Sequence, residues 1–152
     1  KTESLTAVGV LCRIFADPDL VRPGNEAAVR RGVQLIAALP PAWNDDDPGR
    51  VDFYFWYYGT YALYQFDELD SRPWEAWEDA LVEAVVKRQH TTGERRGSWD
   101  PQADPWGHLG GRVYSTALLT LCLEVYYRYA AVLAPKDAVF VPKDGVLVPA
   151  GR

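Results

Sequence analysis

A chain of 152 residues, 48% hydrophobic and 24% charged, has the composition of one folded domain able to bury a substantial core. The formal net charge is -5, and the short basic pairs Arg30-Arg31 and Arg95-Arg96 have acidic neighbours within a few residues. A phosphate-tracking surface needs a broader positive footprint, so nucleic acid is excluded as a partner. The most apolar run, 113–123, is interrupted by Ser115, Thr116 and Thr120 and followed by Glu124; it is too short for a transmembrane segment and suits a buried helix. No basic-then-apolar leader pattern is read, and the compartment stays open. The two cysteines, Cys12 and Cys122, form no metal motif and no disulfide framework; both are expected as buried thiols, with a bridge open if their helices are neighbours.

Apolar spacing predicts a first helix over Glu3–Phe15, with Leu5, Val8, Leu11, Cys12 and Phe15 along its stripe, stopped by Asp17-Pro18. Asn25 is placed to cap a second helix, which runs to Pro40-Pro41 and keeps Arg30, Arg31 and Gln34 on a wet face. A polar break, Asn44 to Arg50, follows. Segment Val51–Phe66 sets two signals against each other. Its aromatic run from Phe53 to Tyr58 favours a strand, whereas the three-to-four spacing out to Leu63 and Phe66 favours a helix, and helix is the reading taken. Ser71 can cap a fourth helix with Pro73 in its first turn and Trp74, Trp77, Leu81, Ala84 and Val85 on its apolar face. Residues 90–111 read as a long ordered loop rich in Gly, Pro, Trp and Asp. A last helix is expected over Val113 to Ala131, apolar on most sides and therefore central.

An internal echo sharpens this pattern. Thr6-Ala7 and Leu11-Cys12 recur as Thr116-Ala117 and Leu121-Cys122 at a spacing of 110, and half that spacing lands on Tyr61-Ala62 and Phe66. The fold class that follows is all-α: helix pairs in inner and outer layers with a period of about 55 over residues 1–134, and an extended tail over 135–152.

The segment Gln89-His90-Thr91-Thr92-Gly93-Glu94-Arg95-Arg96-Gly97-Ser98-Trp99-Asp100-Pro101 resembles the Gln-to-Gly-x-Trp repeat signature of triterpene cyclases. The run Gly110 to Ala117 is similar to the start of an inner helix in the terpene cyclase and prenyltransferase-like α/α toroids. The chain as a whole resembles the C-terminal repeat region of large bacterial squalene-cyclase-like proteins, over roughly residues 3–131. The resemblance implies a partial α/α toroid of inner helices surrounded by outer ones, often around an aromatic-lined cavity. It also implies structural roles for the signature. Gln89 would cap or tether an outer-helix end, Trp99 would stack against it, and Gly93 and Gly97 would allow turns or close contact.

The chemistry of these families is only partly represented. In place of the Asp-x-Asp-Asp acid motif of hopene-forming cyclases stands Asp45-Asp46-Asp47-Pro48; it lacks the fourth carboxylate and reads as a solvated turn more readily than as an acid. The Asp-x-Cys pair of the zinc prenyltransferases is missing, and His90 and His108 stand apart from Cys12 and Cys122, so neither a metal site nor another cofactor is expected. No Cys-Gly-Glu-Gln thioester segment is present. Residues 107–111 lack the strand and the Lys-Ser/Thr ending of a phosphate loop, and no nucleophile elbow supports Ser98 or Ser115.

Tyr54, Tyr57, Tyr58 and Tyr61 share much of one helical face, which either packs an inner helix or lines a pocket for an isoprenoid or a sugar. The cavity candidates are Trp56, Tyr57, Tyr61, Arg112 and Glu124. Arg112 is expected to anchor Asp100 or Asp104, and Glu124, on an apolar helix, to need a partner among Arg13, Arg112 and Arg128. The functional expectation is a non-catalytic interaction or scaffold module whose partner is protein, either neighbouring repeats or another copy. The alternatives are a portion of a terpene cyclase-like enzyme acting on an isoprenoid, or a carbohydrate-binding or carbohydrate-processing toroid.

Overall fold

The computed structural model describes residues 2–43, 51–125, 140–143 and 146–149, the last two segments as backbone. Five helices carry the fold: α1 (Thr2–Ala16), α2 (Asn25–Ala37), α3 (Phe53–Phe66), α4 (Arg72–Val86) and α5 (Gly107–Leu123), with a 3-10 turn at Pro101–Ala103. Two short strands, β1 (Phe140–Lys143) and β2 (Val146–Pro149), pair antiparallel with Phe140 opposite Pro149. The extended tail expected from the sequence is thus in part a hairpin. The Asp45–Asp47 trio and Arg128 lie outside the described residues.

The contested aromatic segment is a helix. Asp52 starts it, with its carboxylate accepting from the Phe55 N–H at 2.9 Å. Once the chain is helical, the rings divide between faces. Phe53, Phe55, Trp56, Leu63 and Phe66 are buried, while Tyr57, Tyr58 and Tyr61 are partly covered and Tyr54 is exposed. α3 packs against all four other helices; α1 and α5 lie against it, and α2 also meets α1 and α4. Ser4 on α1 reaches Asp52, and Phe15, near the other end of α1, meets Tyr61, so α1 and α3 run in the same direction. Arg30 of α2 lies over Phe66, and Trp77 of α4 meets the Phe55 ring edge-on and donates to the Thr60 hydroxyl at 2.9 Å. Gly59 leaves the space that the Trp77 ring fills; a Cβ there would come within 2.8 Å of it.

Two of the expected caps work differently. Gly24, with φ 73°, precedes α2 instead of Asn25. Asn25 is the first helical residue, and its side chain holds α1 to α2: it donates to Asp17 at 2.8 Å and accepts from Arg13 at 3.1 Å. Asp17 also accepts from the N–H groups of Val21 and Arg22. Burial raises the Asp17 carboxyl, but these donors outweigh it and hold the group below its ordinary value. Ser71 precedes α4 without a side-chain cap bond. α5 begins earlier than Val113, at Gly107, and bends at Gly111, whose φ of 61° and ψ of -161° suit a residue without a side chain.

Both cysteines are free, and they differ from the expectation of two buried thiols. Cys12 is exposed on α1, whereas Cys122 is buried beside Thr60, and burial pushes its thiol up to about 12. A disulfide-exchange reagent should therefore label one thiol per native chain, Cys12, and reach Cys122 only on unfolding. Two equally fast labels in the native state would contradict this arrangement.

Candidate functional site

The polar side chains with the most chemistry gather where the loop 87–106 meets the starts of α3 and α5. Asp104 is buried and accepts from two backbone N–H groups, Phe53 at 2.6 Å and Trp106 at 2.7 Å. It thereby ties the first turn of α3 to the loop that leads into α5. The Asp52 carboxylate caps the same end of α3 and is reached by the Ser4 hydroxyl. Anionic side chains at a helix N-terminus meet unpaired N–H groups and the positive end of the helix dipole, which is why two carboxylates are tolerated there. Burial raises the Asp104 carboxyl above its ordinary value; its two backbone donors offset this only in part, and the Asp52 charge adds to it. The Tyr114 phenol, on α5 beside Asp104, is also pushed up, first by burial and then by the charges of Asp104 and Asp52.

A second knot surrounds the segment that resembles the cyclase signature. The Trp99 ring is buried, and its indole N–H donates to the Val85 carbonyl at 2.7 Å, which also accepts from the Arg88 N–H at 3.2 Å at the end of α4. Gln89 donates to the Gly97 carbonyl at 3.2 Å. The strand-like exchange between His90 and its loop closes the same turn, with His90 N–H on Ser98 and Gly97 N–H on His90. Gly93 and Gly97 both have positive φ, 69° and 79°. The Trp99 carbonyl accepts twice from α5, from Arg112 at 3.0 Å and from the Ser115 hydroxyl at 2.9 Å. Arg112 also approaches Asp100 at 3.7 Å, so of its two expected partners the structure pairs it with Asp100 and leaves Asp104 to the backbone.

The sequence-derived cavity candidates do not converge on one point. Trp56 is 1% exposed and packs edge-on against Phe53 and Trp43. Tyr57 meets Tyr58, and Tyr61 meets Phe15 on the α1 side. Arg112 belongs to the loop knot, and half-buried Glu124 follows the last residue of α5. An open groove of about 410 Å³ lies elsewhere, between α1 and α2, among Gly9, Ala27, Gly32 and Leu35 with Arg13 and Arg31 at its rim; none of the five candidates lines it. Among the described residues, no group of three or more His, Cys, Asp or Glu is placed to hold a metal ion, and no helix is long and apolar enough to cross a membrane. Sequence reasoning missed Asp52 altogether and gave Asp104 the wrong partner. The first could have been found as an Asp directly before the aromatic helix; the second needed a contact across 51 positions.

The chain matches no family model, no curated protein and no solved structure.

The two knots differ in what their loss should cost. Trp99→Phe removes a buried donor and leaves the Val85 carbonyl only the longer bond from the Arg88 N–H, and should lower stability by about 1–3 kcal/mol. Gln89→Ala, at a more exposed bond, should cost less than about 1 kcal/mol; urea unfolding of both variants separates these values. For Asp104, a raised folded value means that the folded chain takes up a proton between the ordinary carboxylate pKa of about 4 and that higher value. Its contribution to stability therefore rises as pH falls through this window. In Asp104→Asn that slope should vanish, with a loss of about 1–3 kcal/mol at neutral pH because an amide cannot accept from both N–H groups.

Proposed function

We propose that this chain is a non-catalytic helix-pair module, a partial α/α toroid of the cyclase-like type, that serves as an interaction or scaffold unit for protein partners. The observation that carries this reading is how its polar groups are used. Asp52, Asp104, Trp99 and Arg112 each bond to backbone at a helix end or loop, so they join elements. A general acid needs a proton aimed at a substrate, and Asp104 directs both of its oxygens at the backbone. The toroid reading draws support from the packing order, in which α1, α3 and α5 would form the inner row and α2 and α4 the outer one. Large apolar side chains left in solvent, Leu5 and Val113 among them, suit a module that binds protein.

One observation favours the reading of an isoprenoid-cyclising fragment. Asp104 has a raised carboxyl close to an aromatic helix, as a proton donor to an alkene would require. The two readings part in a single experiment: titration of the folded chain with squalene in detergent micelles and with soluble oligosaccharides, followed by tryptophan fluorescence and product analysis. The scaffold reading expects no saturable fluorescence change and no product. Conversion of squalene that disappears in Asp104→Asn would overturn it.

A further inference from the structure

Between α1 and α2 the surface opens into two adjoining hollows of about 410 and 440 Å³, which meet at Arg13, Gly24 and Ala28. The two helices run antiparallel here, since Arg13 reaches Asn25 at the start of α2 and Val10 sits over Gly32 further along it. From Gly24 to Leu35 the groove follows α2 for about 16 Å, or roughly three helical turns. Its floor is apolar, and Leu35, 57% exposed, stands at one end.

The charged side chains that line the groove are Arg13, Arg22, Arg31 and Asp17. Asp17 faces Arg22 and spends its oxygens on the N–H groups of Val21 and Arg22 and on the Asn25 amide. Arg13 donates to that same neutral amide, and among the described residues neither Arg13 nor Arg31 meets a carboxylate. Two positive charges of the groove are thus left uncompensated in a chain whose formal net charge is -5.

Gly9, on the floor, is the second sign of an occupant. Glycine weakens the interior of a helix, and the other helical glycines each have a local reason to be there. Gly32 admits Val10, Gly59 admits Trp77, Gly107 the Pro101 carbonyl and Gly110 the Tyr114 ring, while Gly111 takes a positive φ. A Cβ on Gly9 would meet nothing within 4 Å, and its φ is not positive. Among the described residues, then, no contact requires glycine at this place. Its bare backbone faces the groove, where it lets another element approach closely.

A small ligand needs a site that surrounds most of its surface, and this groove is open along its length. A helix needs cover along one side only. We propose that the groove between α1 and α2 docks an amphipathic helix of a protein partner, with its acidic side chains on Arg13 and Arg31 and its apolar side chains on Gly9 and Leu35. The inference rests on the scaffold reading and gives it a partner of stated chemistry.

Fluorescence anisotropy on the full chain tests this with two labelled synthetic peptides of about 16 residues, long enough to form a helix on binding. Both carry leucines at helical spacing, and the flanking positions are glutamate in one and lysine in the other. The glutamate peptide should bind saturably with a Kd below about 1 mM, and more weakly as salt rises. It should bind at least about tenfold more tightly than the lysine peptide. Arg31→Glu, at an exposed side chain, should weaken that binding at least about tenfold with an unchanged circular dichroism spectrum. Gly9→Leu should weaken it as much by filling the floor, while raising Tm by about 2–4 °C, because leucine is the better helix former.

No saturable binding of the glutamate peptide overturns the proposal and leaves the scaffold reading in place. Equal binding of both peptides, or binding that Arg31→Glu leaves unaltered, also overturns it, because the contact would then lie elsewhere. Displacement of the peptide by an equal concentration of octanoate would give the groove to a small anionic amphiphile. Wild-type dimers that Gly9→Leu dissolves would give it to a second copy, and either result removes the partner helix. Squalene conversion, by contrast, would remove the reading beneath the proposal.

Discussion

A helix as aromatic as α3 must be covered on almost every side, and the other helices are arranged around that requirement. Nine of its fourteen residues are buried, and α1, α2, α4 and α5 all lie against it. Burial of large aromatic side chains supplies much of the apolar transfer energy in a domain of this size, at roughly 25 cal/mol per Å² removed from water. The same burial creates a polar problem at the helix start, where N–H groups have no partner within the helix. Asp52 answers it from the cap position just before the helix and Asp104 from a loop 51 positions away in sequence. The core and the candidate site are therefore parts of one arrangement. Removing the polar clamp would loosen the start of the element that the core is built on.

This dependence also explains why the loop after α4 is ordered without being helical. A segment of this length with little secondary structure must meet its backbone groups individually. Gln89, Trp99, Arg112 and Ser115 do so, each with a main-chain carbonyl as its acceptor. Trp99 serves twice, since its ring fills the core and its N–H ends α4. A side chain used in this way is constrained by packing and by hydrogen bonding at once. Tryptophan at such a point is thus informative about fold and nearly silent about catalysis.

The helices were legible because their apolar spacing is local. α2 and α4 follow the apolar stripes counted in the sequence, and in α3 the helical period outweighs strand propensity; α1 is a helix as expected but buries Ala7, Val10, Leu11 and Ile14, leaving Leu5, Cys12 and Phe15 of the expected stripe exposed. What sequence could not supply was partnership at a distance. Asn25 carries every mark of an N-cap, but its amide is used to hold Arg13 and Asp17 across the α1–α2 turn, and Gly24 precedes the helix in its place. Trp56 has the composition of a pocket residue, yet Trp43 and Phe53 close around it. In both cases a competing three-dimensional contact decided the role of a residue whose local chemistry allowed several.

The sequence echo holds a similar lesson about what a repeat can encode. The matched Ala, Leu and Cys residues of α1 and α5 keep their chemistry while differing in exposure, which is what the two outer members of a row do when each is covered from one side. The frame does not extend to α3 at half the spacing. Thr60, midway between Leu5 and Ser115 in sequence, is buried against Trp77 and Cys122. A central helix is covered from both sides, so its residues are chosen to fill space between neighbours, and aromatic bulk replaces the Thr-Ala and Leu-Cys pairs of the outer two. The pairs survive where the open side of the helix sets small residues beside Leu5 or Val113: Gly9 and Cys12 on α1, Ala117 on α5. Small residues let helix backbones approach closely, and a face that keeps them in solvent retains the capacity to pack another helix.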